Sequence, residues 1–211
     1  MGAPLMSSSH VVALVMAAGY SRRFGQHDKR SAMLASGQSL LATSVAHAEY
    51  SFTLLRVAIR EDDTPSLLGL ADTMALIQLQ TAHLGLGSSL AEAVAALSHD
   101  PRLDHVQAVA ILLGDMPCIE RKTLLALQRL ATRDTILRPC YEGRPGHPVI
   151  FGREFWPALE TLSGNSGAQP VIRRHLSQYR EYDVQDDGTL IDIDAPADIA
   201  RVDSRRTEQA P

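Results

Sequence analysis

The sequence predicts an α/β protein in which one three-layer, doubly wound and mostly parallel sheet carries helices on both faces. Continuous apolar runs rich in β-branched residues, such as HVVALVMA at residues 10–17, are typical of strands buried in a parallel sheet. These runs alternate along the chain with segments whose apolar residues recur at helical spacing. That alternation predicts right-handed crossovers between parallel strands.

Strands and helices are predicted in alternating order from the amino end. The run VQAVAILLGDMP at 106–117 is the most apolar strand and ends sharply at Gly, Asp and Pro. The helix at 88–97 is expected to open with a serine cap, and the helix at 195–202 with a cap from Asp194. The full set comprises strands at 10–17, 54–60, 74–80, 106–117, 135–139 and 179–184 and helices at 39–48, 88–97, 121–131, 155–162, 167–176 and 195–202.

The alternating pattern is interrupted at residues 140–151. There the sequence CYEGRPGHPVIF has a Gly/Pro-rich middle between two short apolar pieces. We expect a hairpin or a reversed strand that brings a loop over the sheet edge.

Composition narrows the class of protein. The 211-residue chain is 45% hydrophobic, which predicts one domain over residues 10–202 with flexible ends at 1–9 and 203–211. Its net charge of −4 gives no general attraction to nucleic acid or to an anionic membrane, and no apolar run approaches a membrane helix. Without a signal-peptide pattern, we expect a cytoplasmic protein in which Cys118 and Cys140 stay reduced.

The loop after the first strand has the composition of a phosphate-binding loop. The small residues at 17–19 let the backbone approach a nucleotide, and Arg23 and Lys29 can neutralise a triphosphate. The spacing matches neither the G-x-G-x-x-G pattern nor the P-loop, so both of those folds are disfavoured. A surface turn with solvated arginines is the alternative, and Arg22 is expected to face solvent.

Glycines and serines also follow the third strand. In HLGLGSSL at 83–90, Gly85 and Gly87 precede a helix start at Ser88 and Ser89. Free N–H groups at such a start suit a base or a ribose, although an ordinary capped helix has the same pattern.

Two carboxylates and one histidine complete the set of candidates. Asp115 follows the most apolar strand, where it is either a Mg²⁺ ligand or a turn residue. Asp194 is either a second metal ligand or a helix cap, and His147 either meets a ligand or makes a structural hydrogen bond. Phosphate donors, a basic pair and carboxylates together indicate metal-assisted phosphoryl or nucleotidyl transfer.

Five motifs in this order resemble the MobA-like NTP transferase family over about residues 10–202. The motifs are MAAGYSRRFG with a following DK, GLGSSL, LGDMP, GRPGHPVIF and DIDAPAD. The resemblance implies a Rossmann-type fold like that of nucleotide-diphospho-sugar transferases. Within the family the chain is most similar to molybdenum cofactor cytidylyltransferases, because Ala18-Gly19 stands where the guanylyl branch has Gly-Gly and because of the PGHP loop.

The resemblance implies an activity and a set of site residues. It implies transfer of CMP from CTP to the terminal phosphate of molybdopterin with release of pyrophosphate, with Mg²⁺ as cofactor and a molybdoenzyme or its maturation chaperone as a partner. Catalytic roles would fall to Arg23, Lys29 and Asp115, and metal binding to Asp115 and Asp194. Nucleotide contacts would come from Ala17, Ala18, Gly19, Ser21, Arg23, Lys29, Gly87 and Ser88, and acceptor contacts from Gly146 and His147.

Two departures from the family pattern leave alternatives open. The family often has L-x-G-D-x-G-A-R where this chain has GNSGAQ at 164–169, which bears on the identity of the acceptor. A shift of one residue in the first loop would make Arg30 rather than Lys29 the phosphate contact. The alternatives are guanylyl transfer to the same cofactor, transfer to a sugar phosphate, and a nucleotide- or cofactor-binding protein without catalysis.

Overall fold

One mixed β-sheet forms the centre of the fold. The computed structural model describes residues 10–20, 24 and 28–200. The expected flexible ends at 1–9 and 203–211 lie outside the described residues. The strands are Val11–Met16 (β1), Leu54–Arg60 (β2), Leu76–Leu79 (β3), Ala108–Leu113 (β4), Ile136–Tyr141 (β5), Arg144–Pro145 (β6), Val149–Gly152 (β7) and Tyr179–Asp183 (β8).

Helices lie between these strands, close to their predicted positions. They are Leu40–Glu49 (α1), Leu86–Ser98 (α2), Arg121–Leu130 (α3), Trp156–Leu159 (α4) and Gln169–Arg174 (α5). A last helix begins at residue 196. Within the described part of the chain, no helix has the length and apolar character needed to cross a membrane.

The sheet is parallel except for one reversed segment. The strand order is β3-β2-β1-β4-β7-β5-β6, and β8 pairs with β5. The pairs β1–β2, β1–β4, β2–β3 and β5–β8 are parallel, whereas β7 is antiparallel to both β4 and β5. The mostly parallel, doubly wound sheet predicted from the sequence is therefore confirmed.

The reversed strand predicted at 140–151 is present, but it lies inside the sheet between β4 and β5 and not at the edge. A tight turn at Glu142 (φ 49°) and Gly143 (φ 73°) joins β5 to β6, and the chain then returns between β4 and β5 as β7. All four residues of β7, VIFG, are buried. A strand buried on both faces is stable in the interior of a sheet, which explains why this short segment separates β4 from β5.

Alternate residues of β1 supply the two faces of the core. Val11, Ala13 and Val15 pack with α1 and α3, whereas Val12, Leu14 and Met16 pack with α2 and α4. Because every residue of β1 is buried, this strand is covered on both faces. The predicted three-layer arrangement is confirmed.

The start of α2 differs from its prediction. The helix begins at Leu86, and its N-cap is Gly85 at φ 111°, with no side-chain cap. Ser88 and Ser89 lie inside the first turn, where the Ser89 hydroxyl donates to the Gly85 carbonyl at 3.0 Å. A Cβ at Gly85 would collide with Asn165 and with the Gly164 carbonyl, so the close approach of that segment requires glycine here.

Candidate active site

A cavity of about 550 Å³ opens beyond the carboxyl ends of β1 and β4. This is the position where ligands bind in doubly wound sheets. The lining residues are Met16, Ala17, Ala18, Gly19, Tyr20, Lys29, Arg30, Ala82, His83, Leu84, Gly85, Leu86, Ser89, Leu113, Gly114, Asp115, Asn165 and Asp194.

The first loop forms one wall of this cavity. Ala17 and Ala18 are buried, whereas Gly19 and Tyr20 are exposed. The Ala17 N–H donates to the Ala58 carbonyl at 2.8 Å, which continues the hydrogen-bond ladder past the end of β1. The predicted contacts of Ser21 and Arg23, and the expected solvent exposure of Arg22, lie outside the described residues.

Lys29 lies between the two carboxylates predicted to bind metal. Its Nζ donates to Asp115 Oδ2 at 2.6 Å, to the Ile193 carbonyl at 3.0 Å and to Asp194 Oδ1 at 3.3 Å. Burial disfavours the charged ammonium, but the two carboxylates outweigh it, so the pKa of Lys29 is raised above its ordinary value. Lys29, Asp115 and Asp194, which are far apart in the sequence and were each predicted to be site residues, therefore lie in contact.

The carboxylate pair fits a divalent cation. Asp115 Oδ1 is buried and has no hydrogen-bond partner among the described residues, which leaves one ligand oxygen unused. No group of three or more His, Cys, Asp or Glu in the described part could hold a metal. An ion held by Asp115 and Asp194 would thus need further oxygen ligands from water or from substrate phosphates, as is usual for Mg²⁺.

Asp194 precedes the last helix. The Asp198 carboxylate accepts hydrogen bonds there from the N–H groups of Asp194 at 3.0 Å and Ala195 at 2.8 Å. The helix start thus has a carboxylate cap, supplied by Asp198, while the Asp194 carboxylate contacts Lys29.

Arg30, the alternative phosphate contact, is buried and bonded to other protein groups. Only 4% of its surface is exposed, and its guanidinium contacts Asp28, Asp63 and the Ala17 carbonyl. Burial raises the pKa of Asp63, although Arg30 opposes the shift. The chain thus separates the adjacent basic residues: Lys29 faces the cavity carboxylates, and Arg30 links the loops after β1 and β2.

Gly87 and Ser88 contact a protein segment instead of the cavity. The Gly87 N–H donates to the Gly164 carbonyl at 2.7 Å, and the Ser88 hydroxyl accepts from the Gly164 N–H at 3.1 Å. Because the Gly87 amide is already paired, it is not free for a nucleotide. At this end of the cavity the lining comes from neighbouring positions, namely residues 82–86 and Ser89.

Gly146 and His147, the predicted acceptor residues, lie outside the cavity lining. The Gly146 carbonyl accepts from Arg138 Nε at 2.5 Å, and its N–H donates to the Pro139 carbonyl at 2.8 Å. Burial, with help from the positive charge of Arg138, lowers the pKa of His147 to about 4. Its imidazole is therefore neutral at pH 7, and its buried Nδ1 has no hydrogen-bond partner among the residues that the structure describes.

Asn165, which lines the cavity, and Asp63, which lies behind it, were not identified from the sequence as site residues. Asn165 reaches the cavity because the bonds between Gly164 and the start of α2 hold its segment there. The departure at 164–169 was the available signal for it. Asp63, the partner of Arg30, follows β2 in an acidic run that could have indicated a partner for a buried arginine.

A floor of small residues after β1, with a lysine and two carboxylates gathered near the carboxyl end of β4, has the features of a nucleotidyltransferase site. The model of the MobA-like NTP transferase domain matches residues 13–179. The chain belongs to this family, and its fold is the Rossmann-type fold of nucleotidyltransferases.

Known relatives match nearly the whole chain. Purine catabolism protein PucB of Bacillus subtilis is 25% identical over 207 residues, which cover 93% of this chain and 98% of that protein. A homologue of Mycobacterium tuberculosis rv0371c from mycobacterium sp. strain JC1 is 28% identical with a TM-score of 0.79, covering 96% of this chain and 99% of the other. Rv0371c of M. tuberculosis in complex with manganese is 22% identical with a TM-score of 0.68, covering 95% and 100%.

Proposed function

We propose that this enzyme transfers CMP from CTP to the terminal phosphate of molybdopterin, or of the molybdenum cofactor, and releases pyrophosphate in a Mg²⁺-dependent reaction. The observation that carries the proposal is the position of Lys29 between Asp194 and Asp115, which follows the carboxyl end of β4. A cation and two carboxylates at one point suit a triphosphate that arrives with a divalent ion.

The reaction needs positioned charge more than it needs proton transfer. An oxygen of the acceptor phosphate attacks the α-phosphorus, and the bond from that phosphorus to its bridging oxygen breaks as pyrophosphate takes the electron pair. A phosphate nucleophile is already ionised at pH 7, so no general base is required. Arg23 and Lys29 are assigned to neutralise the phosphate oxygens, on which negative charge is concentrated.

Metal binding is assigned to Asp115 and Asp194. When bound, Mg²⁺ supplies charge neutralisation and a template for the phosphate oxygens. Lys29 must leave the carboxylates to make room, and its flexible stem can carry the ammonium toward the triphosphate. The manganese bound to the related Rv0371c protein supports a divalent ion.

The choice of CTP rests on the cavity floor. Ala18 is buried there beside Gly19, with 6% of its surface exposed. Its methyl group takes up space that a purine ring would need, and small pockets discriminate bases by such differences. Ala17, Ala18 and Gly19 are assigned to the base and ribose, with the loop before α2 as the opposite wall.

The acceptor is assigned to the side of Gly146 and His147. The His147 ring is already hydrogen-bonded to the Ile111 backbone, so its Nδ1 is the nitrogen left to accept a hydrogen bond from the polar edge of a pterin. A molybdoenzyme or its maturation chaperone would collect the product in the cytoplasm. PucB is named for purine catabolism, so it does not itself identify the acceptor.

Pyrophosphate release tests the proposal directly. The purified chain is incubated with Mg²⁺ and each of CTP, GTP, ATP and UTP, with and without molybdopterin, and products are identified by mass spectrometry. We expect pyrophosphate and a CMP adduct only with CTP and molybdopterin together. Equal use of GTP would overturn the base assignment, turnover on a sugar phosphate would overturn the acceptor, and nucleotide binding without turnover would indicate a non-catalytic protein.

A further inference from the structure

A quartet of charged side chains, from fully to partly buried, lies directly behind the first loop. It consists of Asp28, Arg30, Arg60 and Asp63. Arg30 Nη1 lies 2.5 Å from Asp63 Oδ2, and Arg30 Nη2 lies 2.6 Å from Asp28 Oδ2. Arg60 Nη2 lies 2.8 Å from Asp63 Oδ1 and 3.0 Å from Asp28 Oδ2. The formal charges cancel, so each guanidinium is neutralised within the group.

The quartet contacts the cavity wall at two points. Arg30 Nη1 donates to the Ala17 carbonyl at 2.7 Å, and the Arg60 guanidinium stacks 4.9 Å from the centre of the Tyr20 ring. Both Ala17 and Tyr20 line the cavity. Residues 17–20 are therefore held at their first and last positions by side chains of one cluster.

The bond to Ala17 fixes the floor of the cavity. The Ala17 N–H, which belongs to the peptide before Ala17, is bonded to Ala58, and the Ala17 carbonyl, which belongs to the peptide between Ala17 and Ala18, is bonded to Arg30. The two peptides that flank Ala17 are thus each fixed by one hydrogen bond. The second of these peptides places the Ala18 methyl group. A rotation of that peptide would therefore move a methyl group that lines the cavity.

Stability alone is a poor explanation for the quartet. Burying four charges costs desolvation that their mutual attraction only partly repays, so apolar residues of similar volume would serve a core equally well. The pair Arg56–Asp100 offers a comparison within the same chain. It is also largely buried, with a 2.8 Å contact, but neither residue lines the cavity.

We propose that Arg30 is a positioning residue that sets the discrimination between nucleobases by fixing the peptide that follows Ala17. The inference rests on the proposed function, since it assumes that this cavity binds a nucleoside triphosphate. Arg30 does not touch the substrate. It acts through the Ala17 carbonyl and, with Arg60, through the orientation of Tyr20.

Only arginine can fill this position. Arg30 uses its Nε and both terminal nitrogens to bond Asp28, Asp63 and Ala17 at the same time. A lysine retains the charge but offers one nitrogen, so it cannot hold both carboxylates and the carbonyl in one plane. Arg30→Lys therefore keeps the charge balance and removes the geometry.

The experiment compares Arg30→Lys with Arg56→Lys, which makes the same change in the buried pair away from the cavity. Dissociation constants for CTP and GTP are measured by equilibrium dialysis with Mg²⁺, and thermal unfolding of each variant is recorded. We expect Arg30→Lys to reduce the preference for CTP over GTP by about tenfold. Arg56→Lys is expected to lower the unfolding temperature while the preference stays at the wild-type value.

The ratio of the two constants is informative because the fraction of folded protein cancels from it. An unchanged ratio in Arg30→Lys would overturn the inference while leaving nucleotide binding intact. A wild-type protein that bound no nucleotide would overturn the proposed function as well. Asp63→Asn removes one carboxylate from Arg30 and should shift the ratio in the same direction. If Arg30→Lys does not accumulate as folded protein, Asp63→Asn tests the inference in its place.

Discussion

The Lys29 Nζ lies 2.6 Å from Asp115 Oδ2 and 3.3 Å from Asp194 Oδ1, so an ammonium group occupies the position between the two proposed metal ligands. A divalent cation and this ammonium compete for the same oxygens. Nucleotide binding would relieve the competition, because the triphosphate offers Lys29 another anionic partner.

Lys29→Met should therefore strengthen metal binding while abolishing turnover. Without the ammonium, we expect Mn²⁺ to bind about tenfold more tightly in the absence of nucleotide, since a like charge has left the site. Electron paramagnetic resonance of free Mn²⁺ measures this directly. Lys122→Met is the control, because Lys122 pairs with Glu120 at the surface and is 70% exposed. Unchanged or weaker Mn²⁺ binding in Lys29→Met would contradict the competition.

Asp115→Asn should lower pyrophosphate release at least a hundredfold, because the site loses a charge that holds the metal against the phosphates. The fold should persist, since an asparagine oxygen can still accept from Lys29 Nζ and the Asp194 carboxylate stays beside the ammonium. Asp62→Asn is a suitable control, with a side chain that is 85% exposed. Near wild-type turnover in Asp115→Asn would remove Asp115 from the mechanism.

That Lys29 and Asp115 lie at one edge of the sheet was predictable, because they follow β1 and β4, whose parallel pairing brings their carboxyl ends together. Asp194 follows no strand of this pair and reaches the site through the bond from the Ile193 N–H to the Asp115 carbonyl, which the strand pattern does not predict. Their mutual distances were not predictable. Sequence patterns do not reveal that the lysine pairs with the carboxylates before any substrate binds.

Other features depend on tertiary contacts that leave little local signal. Ser88 and Ser89 have the composition of a helix cap, but packing of Gly164 against Gly87 starts the helix earlier. The reversed strand β7 lies inside the sheet because its residues are buried on both faces. Four residues are too few for the sequence pattern to predict a buried strand there. In the sequence Arg30 resembles a second phosphate contact, because its partner Asp63 lies in another loop and is not apparent from the local pattern.

His147 should make stability depend on pH in the acidic range. Burial lowers its pKa to about 4, so between about 6.5 and 4 the unfolded chain binds a proton that the folded chain excludes. The free energy of unfolding should thus fall as the pH falls through this window, by up to about 1.4 kcal/mol per pH unit. Urea unfolding at pH 7 and pH 5 measures the slope. His147→Gln should flatten it and exposed His105→Gln should not; equal slopes in both would refute the assignment.

Ala18→Gly should widen the base pocket. Removal of the buried methyl group is expected to raise kcat/KM for GTP relative to CTP by about tenfold, because the floor then accepts a larger ring. Pyrophosphate release with each nucleotide gives the ratio. Ala82→Gly, at the opposite wall of the cavity, is the matched control for loss of a lining methyl group. The same change in both variants would mean that the floor does not select the base.

Gly85→Ala should destabilise the protein by about 1–3 kcal/mol, because φ is 111° there and the added methyl group would meet the Gly164 backbone. Displacing that segment also moves Asn165 away from the cavity, so nucleotide affinity should fall beyond the loss of folded protein. Gly19→Ala is the matched control for stability, since a Cβ at Gly19 meets nothing within 4 Å. Urea denaturation of both variants measures the difference. Equal stability would show that the segment carrying Asn165 yields to the methyl group, and that its approach to the helix start is not fixed.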